Sequence, residues 1–106
     1  MRVITYNKLV RDRIPEIIAA SGKKCTMSVL SEEEYLRLVD LKLDEELAEY
    51  HKDQNIEELA DLMEVIRAAA FARGYSLDDL ERVRSEKAAK RGAFEKRFLL
   101  KEVYED

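Results

Sequence analysis

One cysteine, one histidine, one proline and three glycines are all that this chain of 106 residues contains of those types. With no second thiol, Cys25 excludes an internal disulfide framework and fits a reducing compartment. It also lacks the neighbouring Cys or His that a zinc site or a nucleophile would need, so it is expected to be a small, partly buried hydrophobe. No Ser or Cys stands in a nucleophile context beside His51. That residue is expected in the last turn of a helix, where the dipole favours a cation, and is given a structural role. No apolar run reaches the length of a signal peptide core or a membrane span. Low-complexity segments, Gly/Ser linkers and fixed-period repeats are absent too. These absences lead to the expectation of a soluble, cytoplasmic protein with one domain over residues 1–106. A net charge of −4 argues against non-specific binding to nucleic acid.

What the chain has in quantity is charge, 40% of its residues, beside 46% hydrophobic ones. Such a chain is long enough to fold alone around a modest core, although paired subunits would bury more apolar surface. The basic residues gather near the ends (Lys8, Arg11 and Arg13, then Lys87, Lys90, Arg91, Lys96 and Arg97), leaving an acidic middle.

Helix punctuation is clear. A first helix is expected after Asp12, with Pro15 in its first turn, running to Gly22. Ser31 with Glu34 forms a capping box that opens a second helix, "EEEYLRLVDLKLDEELAEYH". Asn55 caps a third, "IEELADLMEVIRAAAFAR", ended by Gly74, and Ser76 with Asp79 opens a fourth, ended by Gly92. "KCTMSVL" is partly β-branched, and the tail "KRFLLKEVY" fits a strand or a short helix. The expectation is an all-α bundle of about four helices, with room for one small β pairing between residues 25–30 and 97–103.

The quoted helices meet at an acidic stretch, "EELAEYHKDQNIEELADL", residues 45–62, in which Lys52 is the one cation. On the second helix Leu36, Val39, Leu43, Leu47 and Tyr50 form the expected core stripe. Glu46 falls inside it, Glu49 on its edge, and Glu45 points away. On the third helix the expected stripe is Leu59, Leu62, Met63, Ile66 and Ala70, with Glu58 and Asp61 on one flank. A short link makes the two helices an antiparallel hairpin. Positions 49 and 58 share the midpoint 53.5 with positions 46 and 61. Glu49 is therefore expected to face Glu58, and Glu46 to face Asp61. Four carboxylates on one seam repel each other unless protonated or neutralised, and a hard divalent cation removes that penalty. Electrostatic strain without metal is expected at Glu46. The competing reading makes Glu58 a capping acid and leaves Glu45, Glu57 and Glu64 solvated, as acidic runs commonly are.

"EELAE" followed by "EELAD" is an E-E-x-x-E … E-x-x-D pattern that resembles the all-α, MazG-like nucleoside triphosphate pyrophosphohydrolases. "YNKLVRDRIPEIIAASGKK" and "K…RGAFEKRFLL" are similar to a small, single-domain branch of predicted house-cleaning enzymes. The resemblance implies hydrolysis of a nucleoside triphosphate to monophosphate and pyrophosphate, with Mg²⁺ (or Mn²⁺) as cofactor. It assigns Glu46, Glu49, Glu58 and Asp61 as metal ligands and catalytic residues, and implies a homodimer or homotetramer. The eight residues between Glu49 and Glu58 are fewer than in many members. A triphosphate also needs cations around the acids, and Lys8, Arg11, Arg13, Lys87 and Arg91 are the candidates. Tyr6, Tyr35, Tyr50 and Phe94 could stack on a base, but aromatics at such positions more often belong to a core. Two other readings fit less of the pattern: a phosphoribosyl-ATP pyrophosphohydrolase, and a non-catalytic helical interaction domain.

Overall fold

Four helices follow one another along the chain in a computed structural model that describes residues 2–105: α1 (Ile14–Ala20), α2 (Glu32–Asp53), α3 (Ile56–Ala72) and α4 (Leu77–Arg91). The fold is all-α. The Ser31 hydroxyl accepts a hydrogen bond from the Glu34 amide at 3.2 Å, and the Glu34 carboxylate accepts one from the Ser31 amide at 3.4 Å. Ser76 and Asp79 form the same reciprocal box on α4. On α3 the Asn55 side-chain oxygen accepts from the Glu58 amide at 2.9 Å. Each box satisfies two backbone N–H groups that a helix start leaves without a partner. Gly74, which follows α3, takes φ +88°, a left-handed conformation that suits glycine after a helix.

The small β pairing does not form. Neither residues 25–30 nor 97–103 contain strand among the described residues. A strand is stabilised by a neighbouring ladder, and here each segment runs alone with Val29, Phe98, Leu99 and Leu100 exposed. Arg97, in the left-handed region at φ 58°, bends the chain where a strand would begin. Cys25, expected to be partly buried, is exposed on the first of these segments.

The helices do not enclose a globular core. Their main contact is α2 against α3, with a smaller one between α3 and α4, while α1 lies apart. The chain measures 71 × 31 × 23 Å, with a radius of gyration of 18.8 Å. A compact chain of this length would have one near 13 Å. Val39, 1% exposed, is the one fully buried hydrophobic side chain among the described residues. Around it the seam is lined by half-buried Tyr35, Leu36, Leu43 and Tyr50 of α2 and by Leu62, Val65, Ala69 and Ala72 of α3.

The face that α3 turns to α2 differs from the expected stripe. Glu58, Asp61, Leu62, Val65 and Ala72 follow helical spacing along the seam. Leu59, Met63 and Ile66 instead form a second apolar stripe on the outside, where Met63 is 63% exposed. Both stripes are apolar, so periodicity alone could not say which one the partner helix covers.

Only Gln54 and Asn55 separate α2 from α3. Gln54 takes the left-handed conformation, φ 51° and ψ 37°, and its amide donates to the Tyr50 carbonyl at 2.7 Å. That conformation is unfavourable for a residue with a Cβ. Gln54→Gly is therefore expected to stabilise the protein by up to about 1 kcal/mol. Asn55→Ala is expected to destabilise it by about 1 kcal/mol through loss of the α3 cap. Urea denaturation of both variants measures the two effects.

Candidate functional site

The hairpin brings Glu46, Glu49, Glu58 and Asp61 to one place. Carboxylate oxygens of Glu46, Glu58 and Asp61 lie within 4.8 Å of one another, and those of Glu49, Asp53 and Glu58 do the same. Both expected facings, Glu46 to Asp61 and Glu49 to Glu58, are therefore present as distances. The link is centred between residues 54 and 55, one residue later than the shared midpoint of 53.5. Glu58 consequently reaches both acids of α2, and Asp53 joins the group. Asp53 escaped the sequence analysis, although its i, i+4 spacing from Glu49 places the two on one face of α2.

Glu46 occupies the seam as expected, with its side chain only 13% exposed. It is not without a counter-ion, however. Lys42, four residues earlier and 15% exposed, places its Nζ 3.5 Å from Glu46 Oε1 and 3.2 Å from Glu45 Oε2. Lys42 was detectable in the sequence as the cation at i−4 from Glu46, but it lies just outside the acidic stretch. Glu45 is not the solvated acid it was expected to be. It bridges Lys42 and Lys8, the latter at 3.1 Å, and these two cations hold its carboxyl below the ordinary value despite the opposing effect of burial.

Electrostatic strain is evident at Glu58. Partial burial, followed by the charges of Asp61, Asp53, Glu49 and Glu46, pushes its carboxyl above the ordinary value. Glu58 stands where both triads overlap and where no cation pairs with it within 4.0 Å among the described residues.

The irregular segment before α1 supplies two cations to the hairpin. Arg11 Nη2 lies 2.7 Å from Asp61 Oδ1, and Lys8 meets Glu45. Leu9 and Val10 between them are half-buried. A cavity of about 70 Å³ lies where this segment crosses α2, lined by Asn7, Lys8, Leu9, Leu38, Leu41, Lys42 and Glu45. The other expected cations lie elsewhere. Arg13 pairs with Glu16 of its own helix at 3.4 Å. Lys87 and Arg91 are exposed on α4, which touches α3 alone, and neither pairs with an acid among the described residues. Of the aromatic residues, Tyr35 and Tyr50 are half-buried, while Tyr6 and Phe94 are exposed and lie outside any core. His51, in the last turn of α2, lies with its ring 6.0 Å from that of Tyr50.

The donor set consists of carboxylate oxygens alone, which suits Mg²⁺ or Mn²⁺ and does not suit soft metals. Oxygens about 2.1 Å from an octahedral Mg²⁺ are at most about 4.2 Å apart.

Comparison with known proteins adds little to this geometry. No family profile matches the chain, and no solved structure matches it. A protein of Mycolicibacterium smegmatis, described as uncharacterized, is 57% identical over 42 residues. The match covers 40% of this chain and 43% of that protein, less than half the length of either.

Folding raises the Glu58 pKa, so the folded chain binds this proton more tightly than the unfolded chain does. The resulting stabilisation is present below the ordinary value of 4.5 and is lost as pH rises through the raised one. In the presence of EDTA, Glu58→Gln is expected to melt above wild type near pH 7. That advantage should vanish as pH falls towards 4. Thermal melts of the two proteins across this range test both halves of the expectation.

Proposed function

We propose that this protein is a cytoplasmic, Mg²⁺- or Mn²⁺-dependent nucleoside triphosphate pyrophosphohydrolase of the MazG-like kind, acting as a homodimer or homotetramer. The observation that carries the reading is the pair of carboxylate triads sharing Glu58 on a helix–helix seam. Acids so placed, with one member strained, are a candidate for function as well as an expensive arrangement to leave unfilled.

Glu46, Glu49, Glu58 and Asp61 would hold the metal, with Asp53 completing the outer triad. When bound, the ion supplies charge neutralisation on phosphate oxygens and activation of water. The chain's own residues do the rest. Lys42 and the apolar seam fix Glu46, and the two-residue link sets Glu58 and Asp61 opposite α2. Lys8 and Arg11, which already reach the rim of the hairpin, are the cations placed to meet phosphate.

Oligomerisation is supported by what one chain leaves uncovered. The outer stripe of α3 is only partly covered, with Leu59 and Ile66 43% exposed and Met63 63%, and the cavity beside α2 is far below the ~300 Å³ of a typical ligand pocket. A second copy covering that stripe would wall in a site that one chain leaves open.

Pyrophosphate release from a panel of canonical and modified triphosphates, with phosphoribosyl-ATP included, tests the activity. Glu46→Gln, Glu49→Gln, Glu58→Gln and Asp61→Asn are each expected to abolish Mg²⁺-dependent turnover. Glu57→Gln and Glu64→Gln should retain it, and equal losses at all six positions would remove the assignment. Sedimentation of Met63→Glu tests the second half of the proposal. The expected result is a shift from oligomer to monomer at concentrations where wild type stays assembled.

A further inference from the structure

In the chain alone Arg11 stands as a counter-ion to an acid of the hairpin. Its Nη2 lies 2.7 Å from Asp61 on α3, while Lys8 lies 3.1 Å from Glu45 on α2. Residues 8–11 thus bridge the two helices that carry the acids. The segment has no helix or strand of its own, and Asn7 at its start takes a left-handed turn, φ 47°. Its hold consists of two ion pairs between partly exposed groups and the half-buried Leu9 and Val10. Such ion pairs are weak, so the segment can leave at little cost.

We propose that residues 8–11 form an internal counter-ion strap, which a divalent cation displaces from Asp61. The proposal rests on the metal reading above. In the chain alone, Arg11 partly neutralises Asp61 and thereby eases the repulsion at the crowded end of the hairpin. A divalent ion among Glu46, Glu58 and Asp61 would stand a few ångströms from the guanidinium, with which it shares the sign of its charge. The two compete for one carboxylate, and the multiply charged ion bound by three acids prevails. The displaced strap then carries Arg11 free of Asp61, available with the neighbouring Lys8 to an anion that arrives with the metal. Metal loading and phosphate capture are in this way coupled through one segment.

Two measurements on the full chain test the strap. Calorimetric titration with Mn²⁺ alone is expected to show binding about two- to fivefold tighter in Arg11→Ala than in wild type, since an exposed ion pair no longer competes. Arg11→Gln should behave alike, which guards against a local folding defect in either variant. Limited tryptic cleavage after Lys8 provides a readout independent of affinity. In wild type it should be slow in EDTA and faster with Mn²⁺, while in Arg11→Ala it should be fast in both. Unchanged or weaker Mn²⁺ binding in both Arg11 variants, or cleavage indifferent to Mn²⁺ in wild type, overturns the strap and leaves the metal site standing. Absence of Mn²⁺ binding in every protein overturns the metal reading and the strap with it.

Discussion

Mutual repulsion among carboxylates, held together by a helix hairpin that does not let them part, is the constraint on which this structure turns. Placing Glu46, Glu58 and Asp61 on the contact faces of α2 and α3 replaces apolar packing with like charge at one part of the seam. The apolar part, around Val39, Leu36, Leu62 and Val65, must then hold the helices together. The arrangement of cations follows from the same constraint. Lys42 is drawn into the seam, Arg11 is brought across fifty positions of sequence, and Glu45 becomes the junction of two lysines.

Much of this was legible in the residues. Capping is local chemistry, so Ser31, Asn55 and Ser76 announced their helices from sequence alone. The facing of the acids was legible as well, because a short link leaves an antiparallel hairpin little freedom of register. Tertiary choices were harder to read. Leu59, Met63 and Ile66 have the spacing of a core stripe, yet the α2 contact fell on the neighbouring face, which includes two acids. Nothing local distinguishes a stripe that covers a helix of the same chain from one left for another surface. The pairing of Arg11 with Asp61 was hidden for a related reason: an irregular segment carries no period from which its direction could be deduced.

The burial pattern separates the chain into a packed hairpin and its attachments. Capped helices and a short link define α2 and α3 tightly, while α1, the tail and the segment between α1 and α2 expose many of their apolar side chains. Ile17, Met27, Phe94, Phe98 and Tyr104 all lie open. A monomer with this much uncovered apolar surface is an unfavourable solute. The surface therefore sets a second constraint, independent of the acids, on how the chain exists in solution.

The link formed by Gln54 and Asn55 acts as a ruler. One residue inserted there would turn α3 by about 100° about its own axis. Glu58 would swing out of the seam, Glu57 and Glu64 would turn into it, and the outer apolar stripe would rotate away from α2. Each helix would survive, but the acids would be dispersed. Lengthening this hairpin without scattering its charges requires steps of whole helical turns, near three or four residues, or seven. Substitution is tolerated far more readily at this point of the chain than insertion, and the count of residues between Glu49 and Glu58 carries as much information as their identity.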